Sequence, residues 1–288
     1  MTWTRIATAA AMIPVVVAAV LWGSTALVTA LAGLVTLLAL HEFFALGEHV
    51  GLHGYRIWTS ICALAVLFQQ WAATKAQSWT LAGNFRVIRS TTASELPLEL
   101  VLFAFAMGVA VIVLVSQRPL AEALGDISLS SAGLLFVVLP FSALVRLDGV
   151  SVIGPRLVLF TLTLVWAGDT LAYFIGRTCG RIRMAPLLSP KKTWEGAAAN
   201  LLGSLLVGVV FARWLHFEAT QMLIMAGLAN IGGQIGDLIE SAYKRSAQVK
   251  DSGTLLPGHG GMLDRIDALI LVAPVVWYYF ELVLASRG

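Results

Sequence analysis

Eight acidic or basic side chains crowd into the segment from Ser241 to Asp267, SAYKRSAQVKDSGTLLPGHGGMLDRID, of an otherwise apolar chain. Lys244, Arg245 and Lys250 come first, with Asp251. Pro257-Gly258-His259-Gly260-Gly261 follows, and Asp264, Arg265 and Asp267 close the run. The glycine stretch cannot continue a helix and lets backbone approach a ligand closely. Cations, then glycines, then carboxylates suit a site for phosphates and a divalent metal.

Two further polar clusters interrupt the C-terminal half. Asp169, Tyr173 and Arg177 are spaced at i, i+4 and i+8, which places them on one helical face. Ser189-Pro190-Lys191-Lys192-Thr193-Trp194-Glu195-Gly196 offers two hydroxyls, two ammonium groups and the start of another helix, the makings of an anion cradle. Just before the opening segment, Gly232-Gly233-Gln234-Ile235-Gly236 allows close helix packing or local unwinding. Asp237, Glu240, Ser241 and Lys244 then form a stripe at i, i+3, i+4 and i+7. If that helix meets the one begun by Asp264 and Asp267, Asp237 and Asp264 can converge on one hard cation. Magnesium fits, because it takes a couple of carboxylates and shares its other positions with water and phosphate oxygens.

The elements that must position these groups are membrane spans. Of 288 residues, 58% are hydrophobic and only 12% charged, against roughly 25% charged in soluble domains. Mean hydropathy is +0.85. The fold class expected is all-α, a polytopic integral membrane protein with about nine transmembrane helices, eight to ten being the range. The candidate spans are 6–22, 25–46, 56–74, 98–116, 127–147, 156–176, 196–217, 221–243 and 266–286, each near the length that crosses a bilayer. Continuous apolar runs exclude a β-barrel. The first run is expected to be a retained span rather than a cleaved signal, since another apolar stretch follows almost at once. The reading is one membrane domain over 1–288. Within it, 1–155 supplies spans without motifs and 156–288 the catalytic spans and loops.

Lys and Arg set the orientation. The 177–192 loop and the 244–265 loop are separated by two spans, so both lie on one face, expected to be cytoplasmic. Continuing the count puts twelve Lys and Arg inside and seven outside. The net charge of +3 is what such asymmetry produces and does not call for nucleic acid. Cys62 and Cys179 show neither disulfide nor zinc spacing.

Each cluster also has a plainer reading. Asp169 can simply pair with Arg177, the double lysine can be a topological stop, and the glycines can serve packing alone. Asp264, Arg265 and Asp267 can be a solvated helix start, and His259 a backbone cap. Glu42 can be a satisfied core carboxylate or a lining residue. All would have to hold together on one membrane face. There is no GxxxxGK[ST], GxSxG or HExxH, which excludes a P-loop, a serine-nucleophile elbow and a zincin.

The pattern Ser241-x-x-Lys244-Arg245-x4-Lys250-Asp251-x-Gly253, followed by Pro257-Gly-His259-Gly-Gly-x-x-Asp264-Arg265-x-Asp267, resembles the signature of the phosphatidate cytidylyltransferases, or CDP-diacylglycerol synthases. The segments beginning at Ser189 and Asp169 match that family's other typical stretches. Two departures stand out: Gln248 where glycine is expected, and Asn200 where glycine is common, neither expected to touch a ligand. The resemblance implies CTP and phosphatidic acid as substrates, CDP-diacylglycerol and pyrophosphate as products, and membrane lipid as the milieu. It implies Mg²⁺ on Asp237 and Asp264, with Asp267 behind them or on a second metal, and leaves room for a monovalent cation such as K⁺. Lys244, Arg245, Lys250 and Arg265 would stabilise the triphosphate and leaving pyrophosphate. Ser189, Lys191, Lys192 and Thr193 would hold the lipid phosphate or the nucleotide, and Glu195 would orient a lysine or read the base. Asp169, Tyr173, Arg177, Ser241, Asp251, His259, Gly260 and Gly261 complete the expected binding residues. A bacterial inner membrane is the expected location, and a homodimer is left open. Asp264→Asn is expected to abolish turnover without unfolding the chain. A CTP-dependent polyprenol kinase and an ion-coupled transporter are the competing readings.

Overall fold

The computed structural model describes residues 2–82, 86–91, 96–150, 153–255 and 260–287. Among the described residues are nine helices: α1 (Thr2–Trp22), then α2 (Thr25–His49), α3 (Arg56–Ala76), α4 (Leu98–Val115), α5 (Leu120–Asp148), α6 (Gly154–Cys179), α7 (Trp194–Leu215), α8 (Ala219–Ser246) and α9 (Leu263–Leu284). Eight of these, α2 to α9, are long and apolar enough to cross a membrane. The remaining candidate, 6–22, falls in α1, of which Met12–Trp22 forms a shorter apolar helix. The first two apolar runs are nearly continuous in sequence. Ser24 separates them, its hydroxyl accepting from the Leu27 N–H at 3.3 Å to cap α2. The chain is thus an all-α, multi-pass membrane protein.

The sequence reading did not anticipate five short strands. β1 (Gln77–Ala82) and β2 (Arg86–Thr91) form an antiparallel hairpin with Trp79 opposite Arg89. β5 (Ala285–Arg287) adds to it in parallel, Val87 opposite Ala285. β3 (Arg183–Ala185) and β4 (Ser189–Thr193) form a second antiparallel hairpin between α6 and α7.

Contacts divide the chain into two compact units. The first comprises Met1–Ala76, Ala93–Arg146 and Tyr243–Ile266. Its interior is apolar, with Leu40, Phe44, Val66, Leu67 and Leu134 buried. Burial of large side chains here is packing against other helices, since lipid already offers an apolar surround. Inside α5 the turns at Gly133–Val138 widen to five-residue hydrogen bonding just before Pro140, whose missing N–H interrupts the regular ladder.

The second unit comprises Gln77–Thr92, Leu147–Ala242 and Asp267–Gly288. Here α6 and α7 lie against each other through small residues. A Cβ on Gly196 would stand 3.4 Å from the Gly176 Cα and 3.3 Å from the Ala172 carbonyl oxygen. α8 and α9 approach as closely: a Cβ on Gly236 would meet the Asp267 carbonyl oxygen at 2.6 Å. The glycines of α8 therefore serve close packing within an unbroken helix, one of the two roles expected of them.

Candidate active site

The second unit encloses a cavity of about 570 Å³. Asp169, Tyr173 and Arg177 reach it from α6, Lys191, Lys192 and Thr193 from β4, and Asp237 from α8. Three clusters that are far apart in sequence thus share one chamber, whose remaining wall is apolar or small apart from three side-chain amides. Hairpin β3–β4 delivers the lysines, and the Thr193 side chain then starts α7 by accepting from the Gly196 N–H at 3.1 Å. Lys192 and Asp237 form an ion pair, with 28% and 32% of their side chains exposed. The Arg177 guanidinium donates to the Tyr173 hydroxyl at 2.9 Å.

Ser189 and Glu195 stand apart from the lining. Ser189 pairs with Ala185 in the hairpin. The Glu195 carboxylate accepts from the Ile182 N–H at 3.2 and 3.3 Å, a fastening between α7 and the hairpin.

Residues given no role in the sequence reading form part of the wall. Gln234 donates to the Asn230 carbonyl oxygen at 2.7 Å, Asn230 donates to that of Asn200 at 2.5 Å, and Asn200 donates to Asp169 Oδ1 at 3.1 Å. Asn230, only 3% exposed, also donates to the Ser204 hydroxyl at 2.7 Å. Three amides therefore point the same way and end on a carboxylate, an arrangement in which each bond polarises the next. Asn200, a departure from the glycine common at its place, thus holds Asp169 through its amide. The signal was available, because Asn230 and Gln234 extend the stripe of Asp237 backward by seven and three residues on α8.

Asp267 lies on α9 beside the Gly236 crossing. Its carboxyl is within electrostatic reach of Asp237, Glu240 and Asp169. Glu240 is fully buried and Asp267 partly so. Carboxyl groups gathered in one region can be offset by a cation, as Lys192 already does for Asp237. Among the described residues no three His, Cys, Asp or Glu side chains could hold a metal by themselves. A pair of carboxylates with hard oxygens fits a magnesium ion, which keeps waters and binds substrate phosphates.

The cation- and glycine-rich segment of the first unit is organised by two carboxylates. Glu42, 6% exposed on α2, accepts from the Met262 N–H at 2.9 Å, the Leu263 N–H at 2.8 Å and the Ser252 hydroxyl at 3.0 Å. It caps the start of α9 from another helix, satisfying orphan N–H groups and the helix dipole together. Glu42 is a satisfied buried carboxylate, the first of its two sequence readings. A Cβ on Gly261 would strike Glu42 Oε2 at 2.3 Å and the Ser252 hydroxyl at 2.2 Å, so only glycine fits there.

Asp264 is occupied in the same way. Its Oδ2 accepts from the Ser252 N–H and the Gly261 N–H, both at 2.9 Å, and from the Ser252 hydroxyl at 3.1 Å. Its Oδ1 accepts from Lys244 at 2.6 Å, an ion pair 11% and 6% exposed. Arg245 donates to the Val249 carbonyl at 2.9 Å. Lys250, Asp251 and Arg265 are exposed, Ser241 is buried, and Gly260 adopts φ +80°. His259 lies outside the described residues.

The sequence matches the Cytidylyltransferase family over residues 3–283. A phosphatidate cytidylyltransferase of Bacillus subtilis is 32% identical over 187 residues, 64% of this chain and 68% of that protein. One of Staphylococcus epidermidis is 43% identical over 125 residues, 43% of this chain and 48% of its own length. One of Synechocystis is 44% identical over 134 residues, 46% of this chain and 45% of its own. The chain is thus aligned with about half the length of the last two. A match running through nearly every span, together with the chamber its motifs form, establishes that the chain belongs to the cytidylyltransferase family.

Proposed function

We propose that this protein transfers the cytidylyl group of CTP to phosphatidic acid, giving CDP-diacylglycerol and pyrophosphate. The observation that carries the reading is the single cavity in which Asp169, Lys191, Lys192, Thr193 and Asp237 meet. A phosphatidate oxygen attacks the α-phosphorus, a new P–O bond forms, and the bond to the β-phosphate bridging oxygen breaks. The phosphate monoester is already largely dianionic at neutral pH, its second pKa being about 6, so no strong base is required. Rate then depends on alignment and on neutralising charge at the triphosphate.

Lys191 and Lys192 supply positive charge in the cavity, and the Thr193-capped start of α7 adds the favourable end of a helix dipole. We assign magnesium to Asp237 and Asp267, where it would offset phosphate charge. Asp264 instead holds the neighbouring loop in register through its Lys244, Ser252 and Gly261 contacts. Arg245, Lys250 and Arg265 are the proposed partners of the triphosphate; Lys244 already serves Asp264. The excess of Lys and Arg in the two basic loops supports a cavity that opens to the cytoplasm of a bacterial inner membrane.

The test uses purified protein with CTP labelled at the α or the γ phosphorus. Phosphatidate-dependent transfer of α label with release of γ label as pyrophosphate is the expected result. Transfer of γ label to lipid would make the protein a kinase. Turnover unaffected by a chelator would remove magnesium from the scheme.

A further inference from the structure

Hairpin β3–β4 joins the spans α6 and α7, so connectivity alone puts it at a membrane–water boundary. Its turn is Pro186-Leu187-Leu188. Turn tips usually carry Gly, Pro, Asn, Asp or Ser, so Pro186 is ordinary there and the two leucines are not. Here Leu187 is 91% exposed, and Ile182 and Trp194 at the hairpin's base are 62% and 56% exposed. The exposed cations Arg183 and Lys191 lie on its strands, and exposed Arg181 just precedes β3.

An apolar tip on a hairpin whose base and second strand carry positive charge matches the physics of an anionic bilayer surface. Leucine enters the acyl boundary, tryptophan sits at headgroup depth, and Arg and Lys pair with lipid phosphates. The hairpin also contributes Met184, Lys191, Lys192 and Thr193 to the cavity wall. The element whose tip suits a headgroup layer is therefore an element that lines the chamber.

We propose that the β3–β4 hairpin is an interfacial finger that docks into the anionic headgroup layer of its leaflet and brings acidic lipid to the cavity. Docking stands apart from the chemistry proposed above; only the choice of phosphatidate as the preferred lipid rests on that reading.

The test places an environment-sensitive fluorophore on the full-length protein. Leu187→Cys in a Cys179→Ser background gives one accessible thiol, since Cys62 is buried. The labelled protein is reconstituted in phosphatidylcholine vesicles, with and without about 20% phosphatidate to make the surface strongly negative. The expected result is blue-shifted emission, quenched by brominated lipid and shielded from aqueous iodide, with the effect larger in the acidic vesicles. Emission open to iodide and indifferent to brominated lipid would overturn the proposal. So would protection that appears only as protein density in the vesicles rises, which would mark a contact between copies.

Activity supplies a second readout. Arg183→Ala is expected to raise the KM for vesicle-borne phosphatidate about fivefold, the weight of one cation at such a surface. The KM for CTP should not move. A change in kcat alone, with that lipid KM unchanged, would contradict docking. If the protein proves inactive on phosphatidate, the fluorescence experiment still decides whether the finger docks.

Discussion

Lys192 and Asp237 pair within the cavity of the second unit, so a cation of the SPKK segment rests on a carboxylate assigned to metal. A pair about one-third exposed contributes little to stability, roughly 0–1 kcal/mol. Its charges remain available to ligand. Asp237→Asn is therefore expected to lower turnover at least 100-fold, the scale for removing a group that neutralises developing charge. The thermal midpoint in detergent should hardly move. Activity near that of the unaltered protein would take Asp237 out of the reaction.

Asp264→Asn is expected to behave differently, and differently from the sequence expectation that it would spare folding. The Asp264 carboxylate receives three N–H donors, shares the Ser252 hydroxyl proton with Glu42, and neutralises Lys244 at a site almost closed to solvent. An asparagine would leave that ammonium without a countercharge and aim N–H groups at other donors. Breaking a buried pair from one side costs about 3–5 kcal/mol. A fall in both the midpoint of unfolding and activity is the expected outcome. Full stability with lost turnover would return Asp264 to the list of direct ligands.

Glu42 offers a parallel case from a helix that carries no motif. Glutamine has one acceptor oxygen where Glu42 uses two, so Glu42→Gln must turn an amide N–H toward a backbone N–H or the Ser252 hydroxyl. Hydrogen bonds to a charged group contribute about 1.5–3 kcal/mol each. Glu42→Gln is expected to destabilise by about that much and to loosen the Ser252–Gly261 loop. Amide hydrogen exchange at Met262 and Leu263 would report it; unchanged protection there would contradict the capping role.

The spans and the clusters were legible in the sequence because hydropathy and helical spacing are local properties. Asp169, Tyr173 and Arg177 share a face as their spacing requires, and Lys191, Lys192 and Asp237 join them in the cavity. What spacing cannot show is which acceptor a buried donor finds on another helix. Glu42 lies more than two hundred residues before the backbone it caps, and Asn200 meets Asp169 from thirty-one residues away. Hairpin β3–β4 is hidden because Ser189–Gly196 reads as an anion cradle and a helix start rather than as β alternation.

Asn200 can be tested as a departure from the glycine common at its place. Its amide lies over Gly168, where a Cβ would stand 2.2 Å from the Asn200 oxygen, so the two positions fit as a pair. Asn200→Gly removes the donor to Asp169 and the acceptor of buried Asn230. It also adds the further helix cost of glycine over asparagine, about 0.3 kcal/mol. A loss of about 1–3 kcal/mol in stability is expected, set mainly by the unsatisfied buried amide. A stability change no larger than the glycine cost would show the amide series to be incidental.

Gln248, the other departure, has a conformational explanation. α8 ends as the Gln248 N–H bonds the Arg245 carbonyl and the Val249 N–H bonds the Lys244 carbonyl. This paired closure demands a left-handed residue at the first position past the helix, and Gln248 has φ 56°. Glycine adopts that conformation without the Cβ clash, which costs other residues roughly 1 kcal/mol. Gln248→Gly is therefore expected to raise stability by up to about 1 kcal/mol. The gain is reduced because glycine has more freedom to lose on folding. A fall in the unfolding midpoint would mean that the Gln248 side chain contributes more than its backbone strain removes.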